Sequence, residues 1–301
     1  MELAPICLFV YNRPEETRET VKALQDNYLA ARSNLYIFSD GPKNLEDNTK
    51  VCNVRNYIRS ISDFKKVEIF ESQINNGLAN SIIKGVTQVI EKYGKVIVLE
   101  DDLITTPNFL NFMNQALAFY AGNKKIYSIS GYTMDLPSLK TTTKDFYFCQ
   151  RASSWGWATW EDQWQNVDWE IKNYLSFKFN PYKQYKFFRI GTDLPRMLRK
   201  QISGKIDSWA IRWCYWQFQH DLLTIYPTIS KVVNIGFGEN STNTKYKNYF
   251  RVTKDEGIKQ AFKFEYFGSF DKKIVKEFRH SFSIQRRIKN KLYLYWFNYI
   301  K

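Results

Sequence analysis

Residues 95–106 read KVIVLEDDLITT: four apolar residues pass directly into three carboxylates, and this run constrains the chain more than any other. Val96, Ile97, Val98 and Leu99 offer apolar side chains to both faces, as a fully buried strand of a parallel sheet must. Glu100, Asp101 and Asp102 then emerge at the carboxyl end of that strand, the edge where open α/β sheets hold ligands. Adjacent carboxylates repel one another, and solvent or a hard divalent cation is what relieves them. Mg²⁺ or Mn²⁺ on one or two such acids completes its shell with phosphate oxygens and water, which points to a nucleotide diphosphate. The competing reading is a solvated acidic turn ahead of the helix FLNFMNQALAFY, with Thr106 and Pro107 as its start signal.

The preceding text repeats a strand, turn and helix unit. Residues 6–10 read as a buried strand that stops before Pro14, and PEETRETVKALQDN follows as a helix with Pro at its start and acids in its first turn. Residues 35–38 form the second strand, ending in the turn Ser39, Asp40, Gly41, Pro42. A helix around 49–60, a strand at 67–70 and a loop at 73–76 precede the helix LANSIIKGVTQVIEKYG. Strands separated by helical patterns predict βαβ units and a parallel sheet with right-handed crossovers. Asn12 and Arg13, Asp40, and the three acids then gather at one sheet edge. The planar fork of Arg13 suits pyrophosphate, and Asp40 suits a hydrogen bond from a base or ribose. Taken singly, Arg13 reads first as a surface residue and Asp40 as a turn former; together with the carboxylate triplet they favour a nucleotide site.

Past residue 119 the pattern is less regular. IYSISGY reads as a strand, and Trp155, Trp157, Trp160 and Trp164 follow closely. Rings beside Gly156 could form a wall for a sugar face; the alternative is core packing, since Trp157, Trp160 and Trp164 fit helical spacing. Asp207 stands ahead of an apolar helix, either as its N-cap or as a general base at a pocket mouth. His220, late on that helix, reads as packing or a cap. A short strand at 230–234 leads into a Gly, Asn and Ser/Thr-rich loop of the kind that orders over a substrate.

Charge divides the chain. Residues 1–150 hold 17 basic and 17 acidic side chains, and residues 151–301 hold 27 and 13, so the whole net charge of +14 belongs to the second half. The last 57 residues carry 15 basic against 5 acidic, and the tail RHSFSIQRRIKNKLYLYWFNYIK has six Lys or Arg and no acid. As a helix it suits an anionic membrane face, or else docks on the domain with a solvated basic face. Four scattered cysteines show no metal or redox spacing, and neither a signal peptide nor an 18-residue apolar run is present. The expectation is a cytoplasmic protein, soluble or peripheral on the inner face of the plasma membrane.

In motif order the chain resembles nucleotide-sugar glycosyltransferases of the GT-A fold: VYNRP, FSDG, LEDD as a DxD-type metal motif, then SSWGWATW and IDSWAIRW. The later half is similar to the inverting N-acetylglucosaminyltransferases of N-glycan branching, and a bacterial polysaccharide enzyme suits a chain without their luminal anchor. The resemblance implies an α/β fold with a mainly parallel, Rossmann-like sheet, an aromatic, helical acceptor region and a basic C-terminal helix. It divides the chain into a donor half (1–125), an acceptor half (126–245) and a C-terminal extension (246–301). It assigns the metal to Asp102, the ribose to Asp101, the donor sugar to Glu100, the pyrophosphate to Arg13 and the uracil to Asp40. Tyr11, Asn76, Trp155 and Gly156 complete the donor set, and Asp207 becomes the base. Implied with these are Mn²⁺ or Mg²⁺, a UDP-sugar, and a saccharide or lipid-linked saccharide acceptor. Two alternatives stand beside this. A sugar-nucleotide nucleotidyltransferase lacks its Gly-rich triphosphate loop here, and a non-catalytic nucleic-acid binder lacks any recognisable motif, so no nucleic-acid partner is expected.

Overall fold

The computed structural model describes residues 2–236, 252–286 and 288. The first half alternates as predicted: β1 (Ile6–Val10), α1 (Pro14–Gln25), β2 (Asn34–Ser39), α2 (Leu45–Ile58), β3 (Lys66–Glu71), α3 (Leu78–Tyr93) and β4 (Lys95–Glu100). Then come β5 (Leu103–Thr105), α4 (Phe109–Phe119), β6 (Ile126–Ser130), β7 (Phe146–Cys149) and β8 (Trp157–Trp160). Short helices α5 (Glu161–Trp164), α6 (Tyr174–Lys178), α7 (Pro181–Ile190) and α8 (Leu194–Ile202) lead to α9 (Trp209–Gln219), β9 (Leu223–Pro227), β10 (Val232–Asn234) and α10 (Lys272–Ser281).

Eight strands form one sheet in the order β3-β2-β1-β4-β8-β6-β9-β7. β1 to β4 are parallel, as are β6 and β9, while β8 and β7 run against their neighbours. This is the expected α/β class, a mainly parallel sheet covered by helices on both faces. Leu8, Ile37 and Ile97 pack into one apolar layer with Val21, Val54 and Leu110 from α1, α2 and α4. Their neighbours Cys7, Tyr36 and Val98 pack into the other, with Ile82 and Val86 of α3 and Trp213 of α9. Strands buried on both faces cannot alternate with polar residues, which is why they read as continuous apolar runs.

Three local expectations are corrected. Trp157 and Trp160 lie on a strand, not on a helix: WATW pairs with β4 on one side and β6 on the other, and residues three apart on a strand face opposite ways. Trp157 joins the α3/α9 layer and Trp160 the α1/α4 layer. Trp160 and Trp164 are core, and so is Trp157, at 1% exposure. Thr106 and Pro107 do not start α4, whose N-cap position is Asn108, because Leu103–Thr105 pair with Val232–Asn234 and the Thr106 N–H continues that pairing onto the Lys231 carbonyl. The cap of α9 is Ser208, whose hydroxyl accepts from the Ile211 N–H, so Asp207 is not the cap.

α10 is basic, with Lys272, Lys273, Lys276 and Arg279, and Asp271 caps it. The Gly, Asn and Ser/Thr-rich loop beyond Gly236 and the tail after 286, apart from Ile288, lie outside the described residues. Among the described residues no helix is long and apolar enough to cross a membrane.

Candidate functional site

The parallel register of β1 and β4 sets Phe9 opposite Glu100, so Tyr11, Asn12 and Arg13 leave the sheet beside the acids. The Arg13 guanidinium lies 2.9 Å from Oδ2 of Asp102 and 3.8 Å from Oδ1 of Asp101. The Tyr11 backbone N–H donates to Oδ2 of Asp101 at 3.2 Å. Thr20, buried on α1, locks the acidic turn from below. Its hydroxyl donates to the Asp101 carbonyl (2.9 Å) and accepts from the Leu103 N–H (3.1 Å). The β5/β10 pair supplies the other wall: Asn234 pairs with Leu103 and donates its amide to Oδ1 of Asp102 at 3.3 Å. Asn234 also accepts from the Gly236 N–H, which holds that backbone against the acid. A Cβ on Gly236 would stand 2.1 Å from Oδ2 of Asp102, so only glycine fits there.

Among the described residues Arg13 is the cation that pairs with this turn, and it reaches Asp101 and Asp102 but not Glu100. Asp101 is pushed up to about 7, by burial first and then by the charge of Asp102, while Arg13 pulls it down. Burial also raises Glu100, well above the usual carboxylate range, with Asp102 and Asp101 adding to it. The Glu100 carboxylate makes no hydrogen bond or ion pair among the described residues. Burial raises Asp102 too, against the pull of Arg13. The Arg13 guanidinium is raised in turn, because Asp101 and Asp102 outweigh its own burial. This donor set fits a divalent cation: hard oxygens, largely buried, and, among the described residues, with more negative charge than the one paired arginine neutralises. Among the described residues no group of three His, Cys, Asp or Glu could hold an ion by itself. A cation here would therefore take one or two carboxylates and complete its shell from a bound ligand.

Asp40 is already occupied. Its Oδ1 accepts from the Gly41 and Asn76 N–H groups (3.0 and 2.8 Å) and its Oδ2 from the Gly77 N–H (3.0 Å), so it pins the loop that starts α3. The Asn76 side chain turns to Ser72 and Asp40. Next to them is a residue that sequence reasoning passed over. Asp47 accepts from the Tyr11 hydroxyl (2.9 Å) and the Asn12 amide (2.6 Å), which ties the loop after β1 to the start of α2. Burial and that bond to Asp47 push the Tyr11 hydroxyl up to about 12. Trp155 is half-buried, with its ring edge-to-face on Tyr132 at 4.5 Å. Gly156 has φ +57° and backs onto Val232, Leu99 and Phe109, joining the strands beneath the acids.

Asp207 stands outside this network. It is 57% exposed and pairs at 2.7 Å with Arg212, one turn into α9. Trp209 stacks on Trp157 (5.0 Å), and Trp157 is level with Val98, so the start of α9 lies toward the acidic edge of the sheet. His220 ends α9 with its ring tilted against Trp216, centroids 4.0 Å apart, a packing and cap position as read.

No family model and no curated protein matches the chain. Among solved structures it overlaps the mannosyltransferase PcManGT from Pyrobaculum calidifontis, in complex with GDP-Man and Mn²⁺, over 56% of this chain and 49% of that one, with a TM-score of 0.37 and 10% identity. It overlaps S. aureus TarS 1–349 over 77% and 60%, with a TM-score of 0.40 and 8% identity. A UDP-glucose pyrophosphorylase complexed with UDP-glucose overlaps over 50% and 64%, with a TM-score of 0.27 and 15% identity. The chain spans less than two thirds of each of these neighbours.

Proposed function

We propose that the chain is a metal-dependent inverting glycosyltransferase that moves a sugar from a nucleotide diphosphate sugar to a saccharide acceptor. The observation that carries this reading is one arginine paired with two largely buried carboxylates, beside a third that has no hydrogen bond or ion pair among the described residues, at the carboxyl edge of a parallel sheet. Such a site is short of positive charge and open to phosphate oxygens. Asp102, with Asp101 beside it, would hold Mn²⁺ or Mg²⁺. That ion would supply positive charge against the diphosphate leaving group.

The chain's own groups divide the remaining work. Arg13 offers its fork to the diphosphate, Asp101 the ribose contact and Glu100 the sugar contact. Asp40, Asn76 and Tyr11 line the base end, where Asp40 holds the α3 loop ready, and Trp155 and Gly156 face the sugar. Asp207, solvent-accessible and steadied by Arg212, takes the proton of the acceptor hydroxyl as that oxygen attacks. One base and one displacement invert the anomeric configuration. A UDP-sugar is the favoured donor. The favoured acceptor is a saccharide or lipid-linked saccharide in surface polysaccharide or glycolipid synthesis, at the cytoplasmic side.

The test is thermal stability with UDP, GDP, CDP and TDP, each with and without Mn²⁺, on wild type and Asp102→Ala. A ligand at 100 times its Kd adds about 2.7 kcal/mol. A shift with one nucleotide that needs Mn²⁺ and disappears in the variant is expected. No shift with any of the four would overturn the reading.

A further inference from the structure

The text from residue 172 to 205 carries nine Lys or Arg and a single acid, Asp193, and Asp193 is consumed by the buried Arg151 at 2.8 Å. α7 buries only Phe187 and Ile190. Its other face exposes Tyr182, Lys183, Tyr185, Lys186, Phe188 and Arg189. Phe179, at 76% exposure, and Leu175, at 64%, extend that apolar surface onto α6. Cations and rings are interleaved: Lys186 sits 4.5 Å from the Tyr182 ring centroid, Arg189 5.8 Å from Tyr185 and Lys178 5.5 Å from Phe179. An ordinary solvated face carries both signs of charge and few exposed rings.

A cleft of about 320 Å³ opens at the end of this face, lined by Tyr182, Tyr185, Lys186 and Arg189 of α7, and by Arg279 of α10. Asp221 is the one carboxylate on its wall. The Arg279 guanidinium makes no hydrogen bond or ion pair among the described residues. Burial and the like charge of Arg189 lower it. Two arginines and a lysine held together with one acid leave room for an anion. The cleft is remote from the acidic turn. Gln150, Gln217 and Leu222 on its wall lie at the amino end of β9, whereas the acids lie at the carboxyl end of β4. Four strand spacings separate β4 from β7, roughly 19 Å.

We propose that the α6–α7 face docks this protein on an anionic phospholipid surface, its rings at the headgroup level and a lipid phosphate between Arg189 and Arg279. Aromatic rings at the interface with flanking cations are the chemistry that bilayer surfaces select. The surface is independent of sugar transfer, and a protein with no nucleotide affinity could still have it.

The test is sedimentation of the full chain with vesicles of phosphatidylcholine alone or of phosphatidylcholine mixed with phosphatidylglycerol as the anionic lipid. The variants are Arg189→Gln/Arg279→Gln and Phe179→Ser/Tyr182→Ser, with thermal melts as the control for folding. Wild type is expected on the anionic vesicles only. At about 1 kcal/mol for each cation near the surface, the double arginine variant should bind about 30-fold more weakly. Serine at 179 and 182 should weaken binding without changing its salt dependence. Undiminished binding by both folded variants would overturn the proposal and leave the tail as the membrane contact. No wild-type binding would also overturn it. In that case, stabilisation of wild type but not of the arginine variant by inorganic phosphate would assign the cleft to a soluble anion instead.

Discussion

The acidic turn should make the metal-free protein less stable than its fold allows, and one isosteric change should show it. Asp101 rises from its ordinary 3.8 to about 7 because it is buried beside Asp102. At about 1.4 kcal/mol per pKa unit, keeping it ionised at pH 8 costs about 4 kcal/mol. Asp101→Asn removes that charge and keeps an oxygen to accept from the Tyr11 N–H. Its amide group facing Arg13 offsets part of the gain. In a chain of this size each kcal/mol moves Tm by about 2 °C, so in EDTA at pH 8 the variant should melt roughly 4–8 °C higher. The sign with pH follows from the raised folded value. The folded state takes up the proton before the unfolded chain does, so this carboxyl's contribution is fully present below about pH 4 and is lost as pH rises through 7. Wild-type stability should therefore climb from pH 8 to pH 5, and the climb should shrink in Asp101→Asn, where Glu100 still contributes. Thermal or urea melts across that range measure both. Equal melting at pH 8, with parallel pH profiles, would show that the carboxylates are screened by solvent and would remove the electrostatic case for a cation.

Further outcomes follow from single contacts. Gly236→Ala drives a methyl onto Asp102, an overpacking that costs about 1–3 kcal/mol, so Mn²⁺-dependent nucleotide affinity should fall at least about tenfold in calorimetric titration and the melt should fall with it. Thr20→Val keeps the shape but deletes both bonds that fix the acidic turn to α1; it should cost about 1–3 kcal/mol in urea denaturation. Arg13→Gln leaves Asp102 without its cation and should weaken diphosphate binding more than nucleoside binding, compared directly in one titration series. Asp207→Asn should lower turnover by roughly 10² to 10⁴ with nucleotide affinity intact; near-normal turnover would remove Asp207 as the base.

The first half of the fold was legible because its signals are local. A strand buried on both faces must be continuously apolar, and a helix with Pro at its start and acids in its first turn announces itself. β1 to β4 are therefore found within a residue or two of the expected bounds. The second half was not legible in the same way, since β7 and β8 are four residues each and their partners are distant. WATW has the spacing of a helix when read alone, and only pairing with β4 and β6, roughly 60 and 30 residues away, makes it a strand. Burial of Trp157 follows from that pairing and not from its neighbours in sequence.

The same division runs through the site. The acids and Arg13 were readable because each ends its own strand and the parallel sheet carries those ends to one edge. Asn234, Thr20 and Gly236 were not, because each acts across a pairing or a helix face that no nearby residue announces. Their common feature is that they hold Asp101 and Asp102 in place and add no charge of their own. A turn meant only for solvent gains nothing from a buried hydroxyl beneath it, an amide beside it and a glycine that yields its Cβ space to a carboxylate. Such support around like charges is what a bound cation and diphosphate need, since the residues must stay fixed while their repulsion is relieved from outside.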